Sequence, residues 1–385
     1  MSLMIPNPQF DSPLTGLIFD LERLRYFSLK SSTTKWLFFD LKDIMQLLES
    51  LTSARIEGNR TTVMGVVEAV IQKDEPSFDE QIKEIVNIQK AIAFIEETYK
   101  AGMSSDGFVI DEVFIKELHR ISVDGLTREG SKAPGHFRSG DVSIQRSKHV
   151  PPTHVLIPSM MADLVSFINE SNAPQHDLLK TAVAHHRMAW IHPFDNGNGR
   201  VTRLVTYAML AKQRYIDDKG FRILNPTAIF CMDRQKYYDM LALADSETDE
   251  SMMQWCGYVL AGIRTELGKV DKLLNAEFAK SQIILPALQL AKEKEWLSSD
   301  EYEVMLVAID KGIIQAKDVT HIFGSTPSDR VQISRVIARM KDQRYLMAHP
   351  DNPRKYVPRF SNNYLLRGVV QQLEKHDLLP VKANE

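Results

Sequence analysis

The chain has 385 residues, of which 44% are hydrophobic and 25% charged, and its net charge is −3. This length is enough for about two or three domains with a large core, and the small net charge argues against binding of polyanions through bulk electrostatics. No apolar run reaches the roughly 18 residues that cross a bilayer, and the first ten residues lack the basic and apolar regions of a signal peptide, so no membrane partner is expected.

The two cysteines, Cys231 and Cys256, lie among apolar residues. Such surroundings favour buried free thiols in a reducing compartment over a disulfide. We therefore expect a cytoplasmic protein.

The first 35 residues predict an irregular arm. Pro6, Pro13 and a polar run at residues 30–35 interrupt regular structure. One short helix is expected at about Leu17–Phe27.

The first clear amphipathic helix is predicted over Asp40–Ile56. Its apolar residues recur at helical spacing: Leu41, Ile44, Leu48 and Leu51. Gly58 suits the left-handed cap that ends many helices. Glu57 is placed unfavourably, because a carboxylate there faces the negative end of the helix dipole at a cost of about 0.3–1 kcal/mol.

The next part of the chain predicts two helices and a hairpin. Apolar stripes predict helices over Glu75–Tyr99 and Asp111–Val123. In residues 134–144, Gly135 and Gly140 bracket a segment that ends in alternating residues, which predicts a β-hairpin.

Two further helices are predicted over Ser159–Asn169 and Asp177–Trp190. The second carries His185 and His186. Neither has a cysteine, histidine or carboxylate at metal-ligand spacing, so we expect no zinc site and expect one of them to lie in the core.

The stretch IHPFDNGNGRVTR at residues 191–203 follows directly and leads into a helix predicted over Arg200–Tyr215. Gly197, Asn198 and Gly199 thus lie at a helix N-terminus, where glycines leave backbone N–H groups bare. Bare N–H groups and the helix dipole together make an anion site.

Three charged or titratable side chains surround this turn. His192 precedes the turn, and the ordinary histidine pKa of about 6.5 suits a general base. Arg200 and Arg203, three residues apart, are expected to point the same way from the first helical turn. The residues therefore predict a phosphate cradle beside a base; the alternative is a helix corner whose glycines only turn the chain.

The same stretch resembles the active motif of the Fic family, HxFx(D/E)GNGRxxR. The matching residues are His192, Phe194, Gly197, Asn198, Gly199, Arg200 and Arg203. Asn196 departs from the motif, which has an acidic residue there. Fic proteins usually transfer AMP from ATP to a hydroxyl side chain of a target protein, so the resemblance implies a protein adenylyltransferase whose acceptor is a Ser, Thr or Tyr of another protein or of this chain.

The resemblance also implies a role for each matching residue. His192 would take the proton of the incoming hydroxyl, and the amides of residues 197–199 would hold the α- and β-phosphates. Arg200 would fix phosphate and Arg203 the γ-phosphate, while pyrophosphate leaves. Relatives that phosphorylate carry Lys in place of Gly199, so the glycine favours AMP transfer.

The family's acidic residue coordinates Mg²⁺, and here Asn196 stands in its place. A carboxamide offers a neutral oxygen instead of an anionic one. We therefore expect Mg²⁺ to bind weakly and to take more ligands from the nucleotide, with low activity or better activity with Mn²⁺.

The stretch SARIEGN resembles the inhibitory motif (S/T)xxxE(G/N) that some Fic proteins carry ahead of the core. It matches at Ser53, Glu57 and Gly58. The resemblance implies an inhibitory helix at about residues 40–58, with Glu57 paired to Arg203 in competition with the ATP γ-phosphate. The alternative is a solvated glutamate at a helix end.

The resemblance gives two other segments candidate roles. In Fic proteins a hairpin in this place acts as a flap that aligns the target segment by backbone pairing; its residues here are Gly135, Arg138 and Val142. A tyrosine pair helps to enclose adenine, together with a residue seven positions later. These adenine-side residues are Tyr238 and Asp245, although the family often has Asn at the second position and the tyrosine pair also fits a plain core.

From about residue 278 the pattern changes. Three short helices are predicted over Glu301–Lys311, Ala316–Phe323 and Asp329–Gln343. Two strands follow, over Tyr345–Met347 and Lys355–Val357. Helix, turn, helix and hairpin is the winged-helix pattern.

Residues 316–360 contain nine Lys and Arg residues and four acidic ones, an excess of five positive charges. This excess permits DNA binding through the helix that carries Arg330, Arg335 and Arg339. Protein docking or dimerisation is the alternative, and the sequence favours it over DNA.

We therefore predict a mainly α protein with a Fic-type helical core, a small β-hairpin flap and a C-terminal winged-helix domain. The predicted domains are residues 1–100 with the inhibitory helix, 101–275 with the catalytic core, and 276–385. The predicted function is AMP transfer restrained by Glu57. The alternatives are AMP removal by the same site and a nucleotide-gated DNA-binding regulator, and the candidate partners besides ATP and the target protein are DNA and a second copy of the chain.

Overall fold

The computed structural model describes residues 3–26, 34–72, 79–103, 107–144, 147–216 and 226–380. These residues are mainly helical, with one two-stranded antiparallel sheet, so the predicted mainly α class is confirmed. Within them, no helix is both long and apolar enough to cross a membrane.

The chain divides into two compact units. The first unit comprises Met1–Leu29, Gln46–Thr61 and Ser77–Val270, and the second comprises Lys30–Met45, Thr62–Pro76 and Asp271–Glu385. Helix α2 (Lys35–Ile56) therefore contributes residues to both units.

The first unit is built mainly from helices, and a long segment of turns and irregular backbone follows the helix that ends at Ser122. Its helices are α1 (Pro13–Tyr26), the second half of α2, α4 (Glu80–Gly102), α5 (Glu112–Ser122), α6 (Ile157–Asn169), α7 (Asp177–Ile191), α8 (Asn198–Lys212), α9 (Pro226–Cys231), α10 (Arg234–Ala244) and most of α11 (Asp249–Leu274). Helix α7 packs along α8, which also contacts α4 and α5. The start of α8 is thus held by neighbouring helices, which fixes the loop before it.

Several buried polar groups of this unit form hydrogen bonds that join its helices. The buried Trp255 donates from Nε1 to the carbonyl of Ala182 at 2.7 Å. His185 contacts the hydroxyls of Thr206 and Tyr237 at 2.7 and 2.9 Å. His185 and His186 are both buried, whereas the sequence predicted one core histidine. The buried aromatic and polar groups hold α7, α8, α10 and α11 together.

The second unit contains the helix, turn, helix and hairpin predicted near the C-terminus. Its helices are the first half of α2, α3 (Val63–Gln72), α12 (Ala276–Phe278), α13 (Leu285–Glu293), α14 (Ser299–Lys311), α15 (Thr320–Phe323), α16 (Pro327–Asp342) and α17 (Leu365–Lys375). Strands β1 (Leu346–His349) and β2 (Asn352–Pro358) pair with Met347 opposite Val357. The order matches the winged-helix prediction, and its identification as a winged-helix domain stays a prediction.

Four helices of the second unit, α3, α12, α13 and α17, were not predicted. Helix α17 contains Gly368, and glycine weakens a helix pattern read from sequence. A Cβ at Gly368 would come within 2.9 Å of the carbonyl oxygen of Ala287, so this glycine permits the close approach of α17 to α13. The helix is stabilised by packing and not by propensity.

Several predicted boundaries shift. Helix α2 begins at Lys35 and not at Asp40, because Leu37 and Phe38 are buried and extend its apolar face. The predicted end of the first helix at Phe27 and the start of another at Glu75 lie outside the described residues.

The predicted β-hairpin at residues 134–144 is wrong for the residues that the structure describes, which exclude 145 and 146. The segment consists of turns and irregular backbone. Its shape depends on the buried side chain of Arg138, which donates to the carbonyls of His192, Gly140 and Pro152. A single guanidinium thus joins the segment, through Gly140, to the backbone at His192 and Pro152.

Candidate active site

The loop between α7 and α8 begins at His192. This residue caps α7 in the left-handed conformation, with φ 50° and ψ 59°, and its N–H donates to the carbonyl of Met188 at 3.2 Å. Residues other than glycine rarely adopt a positive φ, and such conformations persist where the surrounding structure enforces them. The fold therefore places the imidazole at a fixed point directly after α7.

One carboxamide fixes the shape of the loop. Asn198 accepts the N–H of Phe194 at 2.8 Å and donates to the carbonyl of the same residue at 2.9 Å. Gly197 adopts φ 76° as the N-cap of α8, and no side chain caps that helix end. The amide groups of the first turn are thus left to bind an anion.

The anion that lies there belongs to the chain itself. A Cβ added to Gly199 would overlap the carboxylate of Glu57. The carboxylate therefore occupies the space beside the start of α8, where the positive end of the helix dipole favours it. Any larger residue at position 199 would have to displace Glu57.

Arg203 is the main partner of Glu57. Its guanidinium Nη2 lies 2.8 Å from Oε1 of Glu57. Nε donates to the hydroxyl of Ser53 and Nη2 to its carbonyl, both at 3.0 Å. The structure thus brings Ser53, Glu57 and Arg203 together, although 150 positions separate Ser53 from Arg203 in the sequence.

The charge state of Glu57 follows from these contacts. Burial would raise the pKa of the carboxyl, but the attraction and hydrogen bond of Arg203 outweigh it and hold the pKa below its ordinary value. Glu57 is therefore an anion at neutral pH, paired with a guanidinium that is almost completely buried.

Arg200 does not share the direction of Arg203, so the expectation that both point the same way is wrong. Its guanidinium donates to the carbonyls of Glu129 and Ser122 at 2.6 and 3.4 Å and pairs with Glu84 at 3.3 Å. Spacing of three residues places two Cβ atoms on one helix face, but buried acceptors decide where long side chains go. Binding of phosphate by Arg200 stays a prediction.

His192 is a neutral base in this setting. Burial lowers its pKa to about 4, aided by the nearby charge of Arg138, while the carbonyl of Ala189 and the carboxylate of Glu57 oppose that shift. Nδ1 faces the carbonyl of Ala189 at 3.4 Å, so Nδ1 carries the hydrogen and Nε2 keeps its lone pair.

The segment predicted to be a flap is attached to the same loop. The N–H of Arg138 donates to the carbonyl of Pro193 at 2.9 Å, and Nε donates to the carbonyl of His192 at 2.9 Å. Gly135 begins the segment and Val142 lies half-buried in it. The structure therefore brings Arg138 beside His192, although the described part of the segment forms no hairpin.

His119 joins this site without any signal in the sequence. Its Nδ1 accepts the N–H of Gly135 at 2.9 Å, so Nε2 carries the hydrogen and donates to the carbonyl of Asn196 at 3.1 Å. The ring stacks on Phe194 with centroids 3.9 Å apart, and burial lowers the pKa to about 4. In the sequence it is one of several polar residues in a helix, and only the folded chain shows that it joins the flap to the loop.

The loop residues do not form a ready-made cation site. The side chain of Asn196 accepts the N–H of Gly197 at 2.7 Å and donates to the carbonyl of Gly130 at 3.1 Å. The carboxylate of Asp195 accepts from Ser131 and from the N–H of Lys132 at 2.5 and 2.9 Å. The described part of the chain holds no group of three or more His, Cys, Asp or Glu that could bind a metal, so this donor set does not fit a resident Mg²⁺.

The two residues predicted on the adenine side lie in different surroundings. Tyr238 is 38% exposed, and its hydroxyl donates to the carbonyl of Ile56 at 3.3 Å. Asp245 lies 3.0 Å from Nε2 of the buried His186. Tyr238 thus borders the residue before Glu57, whereas Asp245 is bound to α7.

Residues 109–210 match the sequence profile of the Fic/DOC family. The protein adenylyltransferase Fic of Culex quinquefasciatus is 28% identical over 197 residues, which cover 50% of this chain and 36% of that protein. The protein of the same name from Drosophila yakuba is 30% identical over 197 residues, with the same coverage. This chain therefore spans about a third of the length of the curated relatives it matches.

Two solved structures share the fold. A Fic family protein from Desulfovibrio desulfuricans G20 superposes with a TM-score of 0.56 at 20% identity, covering 92% of this chain and 98% of that one. Fic-1 from C. elegans gives a TM-score of 0.51 at 18% identity over 67% of this chain and 72% of that one. The region that matches the Fic/DOC profile includes the whole loop from His192 to Arg203.

The environment of His192 predicts an unusual titration. With selectively ¹³C-labelled histidine, the NMR signal that disappears in His192→Ala is expected to titrate near pH 4, because burial disfavours the imidazolium. The same signal in Glu57→Gly is expected at a still lower pH, since the carboxylate that favours the cation is gone. A midpoint near 6.5 in the native protein would contradict the buried environment described for this ring.

Proposed function

We propose that this chain is an autoinhibited protein adenylyltransferase that transfers AMP from ATP to a Ser, Thr or Tyr hydroxyl of a protein. The observation that carries the proposal is the position of a neutral base, His192, beside the uncapped start of α8. Nucleotidyl transfer needs this pairing of a base for the hydroxyl with an anion site for the phosphates. The curated relatives named as protein adenylyltransferases support the same reading.

The proposed reaction begins at Nε2 of His192, which takes the proton from the acceptor hydroxyl. The hydroxyl oxygen bonds to the α-phosphorus of ATP, and the bond between that phosphorus and the α,β-bridging oxygen breaks. Pyrophosphate leaves. The amides at the start of α8 stabilise the charge on the phosphates, as a helix N-terminus does for bound anions.

The same geometry supports inhibition by Glu57. Arg203 is the residue expected to bind the γ-phosphate, and Glu57 holds its guanidinium at 2.8 Å. A phosphate cannot approach without displacing that carboxylate, because two anions would share one cation. In this proposal the inhibited state is the one described here, and release requires movement of the segment that carries Glu57.

Mg²⁺ enters this proposal with the substrate. Asn196 presents one neutral oxygen that already accepts a hydrogen bond, so the nucleotide phosphates would supply most ligands. The residues of the chain then bind the phosphates, orient them and hold the proton of the acceptor.

Transfer of label tests the proposal directly. The native chain, Glu57→Gly, and Glu57→Gly with His192→Ala would each be incubated with a cell extract and ATP labelled at the α-phosphate. Protein-bound label is expected to rise about tenfold or more in the single variant, because removal of Glu57 leaves the buried guanidinium of Arg203 without its anion and available to phosphate. It is expected to fall by about 100-fold or more in the double variant, as loss of a general base does.

Two controls make the result specific. His321→Ala changes an exposed histidine of the second unit and is expected to leave labelling by Glu57→Gly unchanged. ATP labelled at the γ-phosphate is expected to label nothing. Absence of α-label from every variant would contradict AMP transfer and would direct the same assay, with a previously AMP-modified protein, to AMP removal.

The metal dependence offers a second test. In the Glu57→Gly background, Asn196→Asp is expected to lower the Mg²⁺ concentration for half-maximal labelling by about tenfold, since a carboxylate is a better ligand than a carboxamide. Asn196→Ala is the matched control and is expected to raise that concentration or leave it unchanged. An identical Mg²⁺ titration for Asn196→Asp would contradict the assignment of this position.

A second candidate function belongs to α16. Arg330 and Arg335 are exposed and, among the described residues, have no carboxylate within ion-pair distance, whereas Arg339 pairs with Glu301 at 2.7 Å. The apolar residues of this helix are buried: Ile333, Val336, Ile337 and Met340. An exposed face with unpaired arginines fits DNA phosphates better than an apolar partner, so we propose that the second unit binds duplex DNA.

Fluorescence anisotropy with a labelled duplex tests this candidate. Arg330→Gln with Arg335→Gln is expected to weaken binding about tenfold at low salt and to reduce the dependence of affinity on salt. Lys272→Gln with Lys375→Gln removes the same charge from exposed positions on α11 and α17 and is the control. Equal affinity for the two double variants would contradict a role for α16.

A further inference from the structure

The segment that carries Glu57 is held on both sides of that residue. Before it, Ser53 contacts Arg203 through its hydroxyl and its carbonyl. After it, the side chain of Asn59 donates from Nδ2 to the carbonyl of Gln81 and to Oε2 of Glu84, both at 2.9 Å. The first attachment belongs to the inhibitory motif, but the second lies beyond it.

Asn59 completes a tight turn at the end of α2. Its N–H donates to the carbonyl of Ala54 at 3.2 Å, and the N–H of Gly58 donates to the carbonyl of Arg55 at 3.0 Å. Its Oδ1 accepts the N–H of Thr61 at 2.9 Å. Because the side chain of Asn59 is bound to α4, the turn holds the backbone at Glu57 in one orientation, and this orientation places the carboxylate of Glu57.

Glu84 is the buried acceptor in this arrangement, with its side chain 3% exposed. Oε2 accepts from Asn59, and Oε1 lies 3.3 Å from Nη1 of Arg200. Oε1 of Glu84 and Nε of Arg200 have no hydrogen-bond partner in the described part of the chain. The carboxylate of Glu84 therefore balances the charge of the buried Arg200 and also accepts a hydrogen bond from the side-chain amide of Asn59.

Arg200 extends the connection into the active loop. Its guanidinium donates to the carbonyl of Glu129 at 2.6 Å, and the neighbouring carbonyl of Gly130 accepts from Asn196 at 3.1 Å. Glu84 thus stands between the end of the inhibitory helix and the loop that follows His192.

We propose that Asn59 and Glu84 are positioning residues of the inhibitory contact: Asn59 holds Glu57 over the start of α8, and Glu84 joins this anchor to Arg200. The proposal rests on the proposed inhibition of AMP transfer. It means that both arginines of the active motif are connected to the inhibitory segment, Arg203 directly and Arg200 through Glu84. A partner or ligand that withdraws Asn59 would release Glu57 without touching the active motif.

The chemistry of the Asn59–Glu84 contact gives the variants that isolate it. Asn59→Ala removes the amide donors. Asn59→Asp keeps the size and shape but places a second carboxylate against Glu84, so it should loosen the segment more than alanine does. In Asn59→Asp with Glu84→Gln, the amide at position 84 can donate to the carboxylate at position 59, which reverses the hydrogen bond and should restore part of it.

Hydrogen exchange measured by mass spectrometry on residues 54–61 tests the anchor independently of any activity. Exchange is expected to be about tenfold faster in Asn59→Ala, because a hydrogen bond to a charged group is lost. It is expected to be faster still in Asn59→Asp and partly restored in the double variant. Arg60→Ala is the matched control, since Arg60 is exposed, and its exchange should equal that of the native chain.

Calorimetric titration with a non-hydrolysable ATP analogue then connects the anchor to inhibition. If closure by Glu57 competes with nucleotide, Asn59→Ala is expected to lower the dissociation constant about tenfold, toward the value of Glu57→Gly but not below it. Arg60→Ala should bind like the native chain.

The outcomes separate the two proposals. If Asn59→Ala and Asn59→Asp exchange at the native rate, the role of Asn59 as an anchor is overturned. It is also overturned if Glu57→Gly binds the nucleotide more tightly while Asn59→Ala binds it with native affinity. Faster exchange in the Asn59 variants, with no change in nucleotide affinity in these or in Glu57→Gly, would support the anchor and overturn the proposed inhibition.

Discussion

The buried guanidinium of Arg203 requires an anion as a partner, and the arrangement of the site depends on which anion pairs with it. A cation removed from water is costly unless it is paired and hydrogen-bonded. In this structure Glu57 and Ser53 meet that requirement from α2. ATP would meet it with a phosphate, so the chain and its proposed substrate compete for one charge. The proposed inhibited state and the proposed active state are thus alternatives that depend on the same residue.

A second buried charge stabilises the frame around this competition. Arg200 is fully buried and is balanced by Glu84, which also receives the side chain of Asn59. Removing either member of such a pair leaves an uncompensated charge. The two arginines of the motif therefore have different tasks in this structure: one guanidinium holds the loop and the helices in place, and the other is the point at which Glu57 binds.

The site itself is formed largely by backbone groups. The start of α8 supplies amides, and carbonyls of the loop are held by Arg138 and His119. Arg138 was expected from the family resemblance, whereas no signal in the sequence indicated His119. A histidine within a helix has many ordinary roles, and the two hydrogen-bond partners of His119 come from segments far along the chain.

The sequence by itself determined what depends on neighbouring residues. Helical periodicity predicted most of the long helices, and the contiguous stretch from His192 to Arg203 predicted a base beside an anion site, because both features need only one loop and the helix after it. Which distant charges meet was decided by the tertiary structure, and only the family resemblance anticipated the pair of Glu57 and Arg203. Glu57 and Arg203 lie 146 positions apart, Arg200 turns away toward Glu84, and residues 134–144 follow Arg138 instead of pairing as strands. The physical reason is that burial makes an unpaired charge or carbonyl costly, and the partner that satisfies it is set by how distant helices pack, which no local pattern records.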